Sequence, residues 1–124
     1  PEAVLLWGRL ASYHLAARDY DAAERAIARA RAVRPGDSAT LAVEVLLLVQ
    51  RGRVAEAIAM QERVVAQARR GRAPARNNLA YLYRITGRLD EARAILEELV
   101  ADGYGYSDVY ANLAEIHRRH GELD

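Results

Sequence analysis

Cysteine is absent from the 124 residues, which excludes disulfides and thiolate chemistry and leaves the compartment open. Lysine is absent too: all 18 basic residues are arginine. The two cations differ in hydrogen-bonding geometry, so a site could demand one of them. A total exclusion is better explained by codon bias in a GC-rich genome. Proline is scarce, at three residues, and β-branched residues are scattered among abundant alanine. That mix favours helix. Long hydrophobic runs are missing: Val45–Val49 ends at once in Gln50, far short of a bilayer span, so no direct membrane insertion is expected. No signal peptide is visible. Excess charge is lacking as well, and a net charge of +1 exerts no overall pull toward nucleic acid or a membrane surface. What remains is ordinary for a folded soluble chain, 52% apolar and 28% charged. The sequence opens on Pro1 rather than methionine and stops just past a turn signal, so it reads as a piece of a larger bacterial protein. The cytoplasm is favoured and the periplasm stays open.

The informative stretch runs from Asn78 to Ala92: a helical pattern, the glycine Gly87, then Arg88-Leu89-Asp90-Glu91-Ala92 opening a second helix. It returns as Asn112-Leu113-Ala114, Gly121 and Glu122-Leu123-Asp124. Gly52 before Arg53-Val54-Ala55-Glu56-Ala57, and Arg18 before Asp19-Tyr20-Asp21-Ala22-Ala23, complete the series. The four turn positions are separated by 34, 35 and 34 residues, so each unit holds two helices with short connections.

This resembles the tetratricopeptide repeat, on Trp7, Leu10, Ala11, Tyr20, Ala23, Ile27, Ala30 and Pro35 in the first unit. The second keeps Leu41, Leu48, Gly52, Val54 and Ala57; the third Leu79, Ala80, Tyr83, Gly87, Leu89, Ala92 and Leu96; the fourth Tyr110, Leu113, Ala114, Gly121 and Leu123. The resemblance implies an all-α, right-handed superhelical α-solenoid of antiparallel helix pairs, as one domain over residues 1–124. Its units fall at about 4–37, 38–72 and 73–106, with a capping first helix of a fourth at 107–124. Small residues at Ala11, Ala80 and Ala114, and at Ala23, Ala57 and Ala92, let paired axes approach closely. Asp37 and Ser107 are expected to cap the helices that follow, and the turn glycines to take a left-handed conformation. Val45, Gln61 and Arg18 depart from the pattern. So do Arg69-Arg70-Gly71-Arg72-Ala73-Pro74, where a longer connection is expected, and Gly103-Tyr104-Gly105-Tyr106, where a flexible turn presents two tyrosines.

Chemistry is sparse. His117 and His120 lie one turn apart, but no third ligand with fixed geometry is readable, so packed or half-exposed histidines are expected and no metal. His14 and His117 stand at the place of Tyr83. No nucleophile, phosphate-loop or cofactor motif occurs, so neither catalysis nor a cofactor is expected. Arg25, Arg29, Arg31 and Arg34 form one basic cluster and Arg69, Arg70, Arg72 and Arg76 another. With the charge near balance and Asp21, Glu24 and Glu62 as counter-charges, these read as solvated surface, not a nucleic-acid site. Glu97 and Glu98 also read as a solvated face.

The resemblance implies a groove lined by first helices. Carried over residue by residue, its places are Leu5, Arg9, Ser12 and Tyr13; Ala39, Ala42, Val43 and Leu46; Asn77, Asn78, Tyr81 and Leu82; and Asp108, Asn112, Glu115 and Arg119. Those chosen as the peptide-binding site are Arg9, Ser12, Tyr13, Val43, Leu46, Asn77, Asn78, Tyr81, Asn112 and Glu115. Asn78 and Asn112, one repeat apart, are candidates for holding the backbone of an extended peptide. The basic clamp by which some relatives hold a chaperone's terminal carboxylate is missing, its places being taken by Gly8, Ser12, Val43, Pro74 and Asn78. The expectation is a non-catalytic module that binds a peptide or helix of a partner protein. The alternatives are a self-associating scaffold, and a regulatory segment of a multidomain enzyme.

Overall fold

The computed structural model describes residues 2–69 and 71–123. Arg70 of the second basic cluster and Asp124 of the last turn signature lie outside the described residues. Among these there are seven helices and no strand: α1 Glu2–Ala16, α2 Tyr20–Val33, α3 Ser38–Gln50, α4 Val54–Gln67, α5 Arg72–Ile85, α6 Leu89–Ala101 and α7 Ser107–Leu123. They form two compact units, Pro1–Arg53 and Val54–Asp124. The division falls in the turn after α3, so the second repeat supplies α3 to unit 1 and α4 to unit 2.

The helices stop by one recurring device. The amides of Asp19, Arg53, Arg88 and Tyr104 each bond a carbonyl five residues back, on His14, Leu48, Tyr83 and Leu99, at 2.8–2.9 Å. Such closure needs a left-handed residue just before the donor. Gly52 and Gly87 supply it with φ of 79° and 83°, and Arg18 takes the same conformation at 61°. Gly121 does not: it lies inside α7, which runs on through Leu123. The expected fourth turn is thus a continuing helix. Asp37 caps α3, its carboxylate accepting from the amide and hydroxyl of Thr40, and Asp19 caps α2 in the same way through Ala22. Ser107 is the first residue of α7 rather than a cap before it.

In unit 1, α1 packs on α2 and both meet α3. The core is Ala11, Leu15, Ala23, Ala26, Ile27 and Leu47, with Trp7, Tyr20 and Val43 packed against it. Ala11 and Ala23 are wholly enclosed, which is the close approach their size permits. Burying Ile27 and Leu47 contributes about 1.5–3 kcal/mol each.

In unit 2, α4 packs on α5, α5 on α6, and α7 on both α5 and α6. Ala57, Ala80 and Ala92 are fully enclosed, whereas Ala114 is exposed on α7. Gln61, which breaks the apolar pattern, is buried and satisfied: its Nε2 donates to the Ala75 carbonyl oxygen at 2.9 Å. The connection before α5 holds Gly71 at φ 63°, and Pro74 sits in the first turn of α5, where no amide donor is missed. The turn before α7 is packed rather than loose. Tyr104 and Tyr106 meet edge to face at 4.7 Å, and a Cβ on Gly105 would lie 2.8 Å from the Tyr110 hydroxyl oxygen.

Candidate functional site

The two units offer different surfaces. In unit 1, α1, the turn after α2, and α3 enclose an open cavity of about 420 Å³. Its walls are Val4, Leu5, Gly8 and Ser12 of α1 and Ala39 and Val43 of α3; Arg9, Arg34 and Asp37 add charge. Three of the chosen site residues, Arg9, Ser12 and Val43, therefore share one opening. Leu5 and Ala39, which the register also placed on the groove, join them. Tyr13 and Leu46 are exposed outside this lining, at 67% and 48%. Arg34 and Asp37 were not foreseen in this role. They read as a helix end and a cap, and only the path of the turn carries them to the cavity.

In unit 2 a polar network ties α5 to α7. Asn77 is buried; its Nδ2 donates to Asp108 Oδ2 at 2.7 Å, and its Oδ1 accepts from Asn112 Nδ2 at 3.2 Å. Asn112 Oδ1 accepts from Arg84 Nε at 3.2 Å, and the Arg84 carbonyl accepts from Arg119 Nη1 at 3.3 Å. Glu115 accepts from Arg118 and Arg119. Asn77 and Asn112 thus spend their amides on each other and on their neighbours. Asn77, rather than Asn78, is the residue of α5 that meets Asn112 of α7. Leu82, also placed on the groove, is buried at 2%. Asn78 and Tyr81 stay exposed on α5, with the Arg84 guanidinium 5.2 Å from the Tyr81 ring centre.

Two model matches decide the family. One tetratricopeptide-repeat model matches residues 9–73 and another matches residues 48–116, more than half of the chain. The chain belongs to the tetratricopeptide repeat family. No curated protein matches it. Tetratricopeptide repeats are protein–protein interaction modules and typically non-catalytic scaffolds.

Within this tetratricopeptide chain the titratable groups serve structure. The Tyr83 hydroxyl donates to Glu62 Oε2 at 3.2 Å, and Arg88 stacks 4.2 Å from its ring centre. Burial first, then the Glu62 charge and hydrogen bond, push the Tyr83 phenol above its usual range. Glu115 is pulled down to about 2, chiefly by its hydrogen bonds from Arg118 and Arg119. His117 is exposed, and half-exposed His120 places its Nε2 3.7 Å from Asp90 Oδ1 of α6. Among the described residues no three histidines or acids cluster as metal ligands. The arginine clusters meet other acids than those expected: Arg31 pairs with Glu44, and Arg76 with Glu98 and Asp102. Asp21 and Glu24 are taken by Arg51, and Glu62 by Tyr83. Among the described residues no helix is long and apolar enough to cross a membrane.

Proposed function

We propose that the chain is a non-catalytic module that holds a segment of a partner protein, and that the unit 1 cavity receives one apolar side chain of that segment. The observation that supports this is convergence. Leu5, Arg9, Ser12, Ala39 and Val43, spread over two repeats, line a single opening of about 420 Å³. That size and its mostly apolar walls suit a leucine or aromatic anchor. Arg9, Arg34 and Asp37 are placed to hold the polar backbone or charges beside the anchor. Asn78 and Tyr81 offer a separate polar and aromatic contact on unit 2.

Gly8→Leu tests the reading without endangering the fold. A side chain at Gly8 meets nothing within 4 Å of its Cβ, so leucine would project into the cavity. A leucine in mid-helix also favours α1 by about 0.5–1 kcal/mol over glycine. Peptides selected against the wild-type chain from a displayed random library should lose tenfold or more in affinity for Gly8→Leu by calorimetry. Equal affinity would place the binding elsewhere.

A further inference from the structure

The space between two consecutive first helices is filled in unit 2 and left open in unit 1. Between α5 and α7 it is taken by Asn77, Asp108 and Asn112, bonded to one another. Two repeat steps back, the same places are Gly8, Ala39 and Val43, none of them polar, and all three line the cavity. The opening is thus written into unit 1, and its walls are α1, the turn after α2, and α3. A helix of the same chain packed ahead of α1 would have a different place. In unit 2, α4 packs on α5, whose buried Ala75, Leu79 and Leu82 match Leu6, Leu10 and Tyr13 of α1, and none of these last three lines the cavity. The cavity also carries charge that the fold does not use. Arg9 stands on the α1 wall and Arg34 on the wall made by the turn. Both are exposed, and neither guanidinium meets a hydrogen-bonding or ionic partner among the described residues. Asp37, the one acid of the lining, pairs with neither. Its Oδ2 is held by the Thr40 amide at 3.1 Å and the Thr40 hydroxyl at 3.0 Å.

We propose that the guest of this cavity is an extended acidic segment of a partner protein, with an aspartate or glutamate two places before and two places after its apolar anchor. The proposal rests on the reading that the cavity takes such an anchor. In an extended segment side chains alternate, so residues two places away point the same way as the anchor. The carboxylates then reach the rim as the anchor enters, one for Arg9 and one for Arg34. Guanidinium and carboxylate match as paired donors and acceptors. Two cations on separate walls call for two charges, and a chain terminus supplies only one. A second copy of the chain fits poorly. Its one run with acids at that spacing around an apolar residue is Glu98-Leu99-Val100-Ala101-Asp102. That run closes α6 as helix, and both of its acids are held by Arg76.

The probes are peptides selected from a displayed random library, then synthesised with both ends capped so that only side chains carry charge. Selection on the wild-type chain should enrich aspartate and glutamate two places from a leucine or aromatic residue. By calorimetry, Arg9→Gln and Arg34→Gln should each weaken binding by up to about fivefold, the range of an exposed ion pair. Selection on the Arg9→Glu, Arg34→Glu double variant should reverse the preference toward lysine and arginine. Neither arginine has a partner to lose, and circular dichroism checks that the variants stay helical. Peptides blocked by Gly8→Leu but not enriched in acids, or indifferent to the double variant, would overturn the proposal and leave the cavity reading standing. An empty selection, or peptides indifferent to Gly8→Leu, would overturn both. Binding that needs a free carboxyl end would overturn the proposal in favour of a chain terminus. A wild-type dimer in light scattering, dissolved by Gly8→Leu, would overturn it in favour of a second copy. A longer expressed chain that refuses the same peptides would do so in favour of a segment of its own.

Discussion

Arg18 carries a backbone conformation that a side chain disfavours. At φ 61° it ends α1 where Gly52 and Gly87 end α3 and α5. The left-handed region costs a non-glycine residue about 1 kcal/mol or more, so Arg18→Gly should raise stability by about 0.5–1 kcal/mol in a urea titration. Ala92 shows the opposite constraint. It is fully enclosed between α5 and α6, and Ala92→Leu should cost about 1–3 kcal/mol by overpacking, read as a lowered Tm. Both residues were legible in the sequence because sterics alone set them: one place in each repeat must be small, and one must turn left-handed. Gln61 was not legible as a satisfied core residue. Its acceptor, the Ala75 carbonyl, lies beyond an irregular turn, and no local spacing announces it.

At the scale of elements, α7 depends on side-chain bonds as well as packing. Asn77→Ala removes the acceptor of Asn112 and the donor to Asp108 together, leaving part-buried polar groups unmet. A loss of about 1–3 kcal/mol is expected in chemical denaturation. The C-terminal part of α7 adds a pH dependence. The Glu115 carboxyl is depressed to about 2 from 4.5, so the favourable contact is present above 4.5 and is lost as pH falls through about 2. NMR of the Glu115 carboxyl should show that late titration, and Arg118→Ala should move it upward. Tyr83 has the reverse sign. Its phenol is raised above 10.0, so its contribution is intact below 10.0 and fades as pH climbs past that value. Helix existence and pairing could be read from the period. The α5–α7 amide network could not, because register assigns Asn77 and Asn78 to one surface and only packing separates them.

For the whole molecule, the 34- and 35-residue steps were enough to foresee helical hairpins and the family. They were not enough to foresee that the compact units would part after α3, because the period counts repeats and not the contacts between them. By formal charge, unit 1 holds eight arginines against six acids, and unit 2 ten against eleven. Such stacked hairpins are held together by neighbours alone, and their parts can open separately. Trp7 gives this a practical consequence. The one indole belongs to Pro1–Arg53, whereas the phenol most altered by its surroundings, Tyr83, belongs to Val54–Asp124. Trp7 emission therefore times the melting of Pro1–Arg53 alone, and, because Tyr13 and Tyr20 also lie there, the difference in phenolate absorbance between wild type and Tyr83→Phe at about pH 10 would time Val54–Asp124 against it.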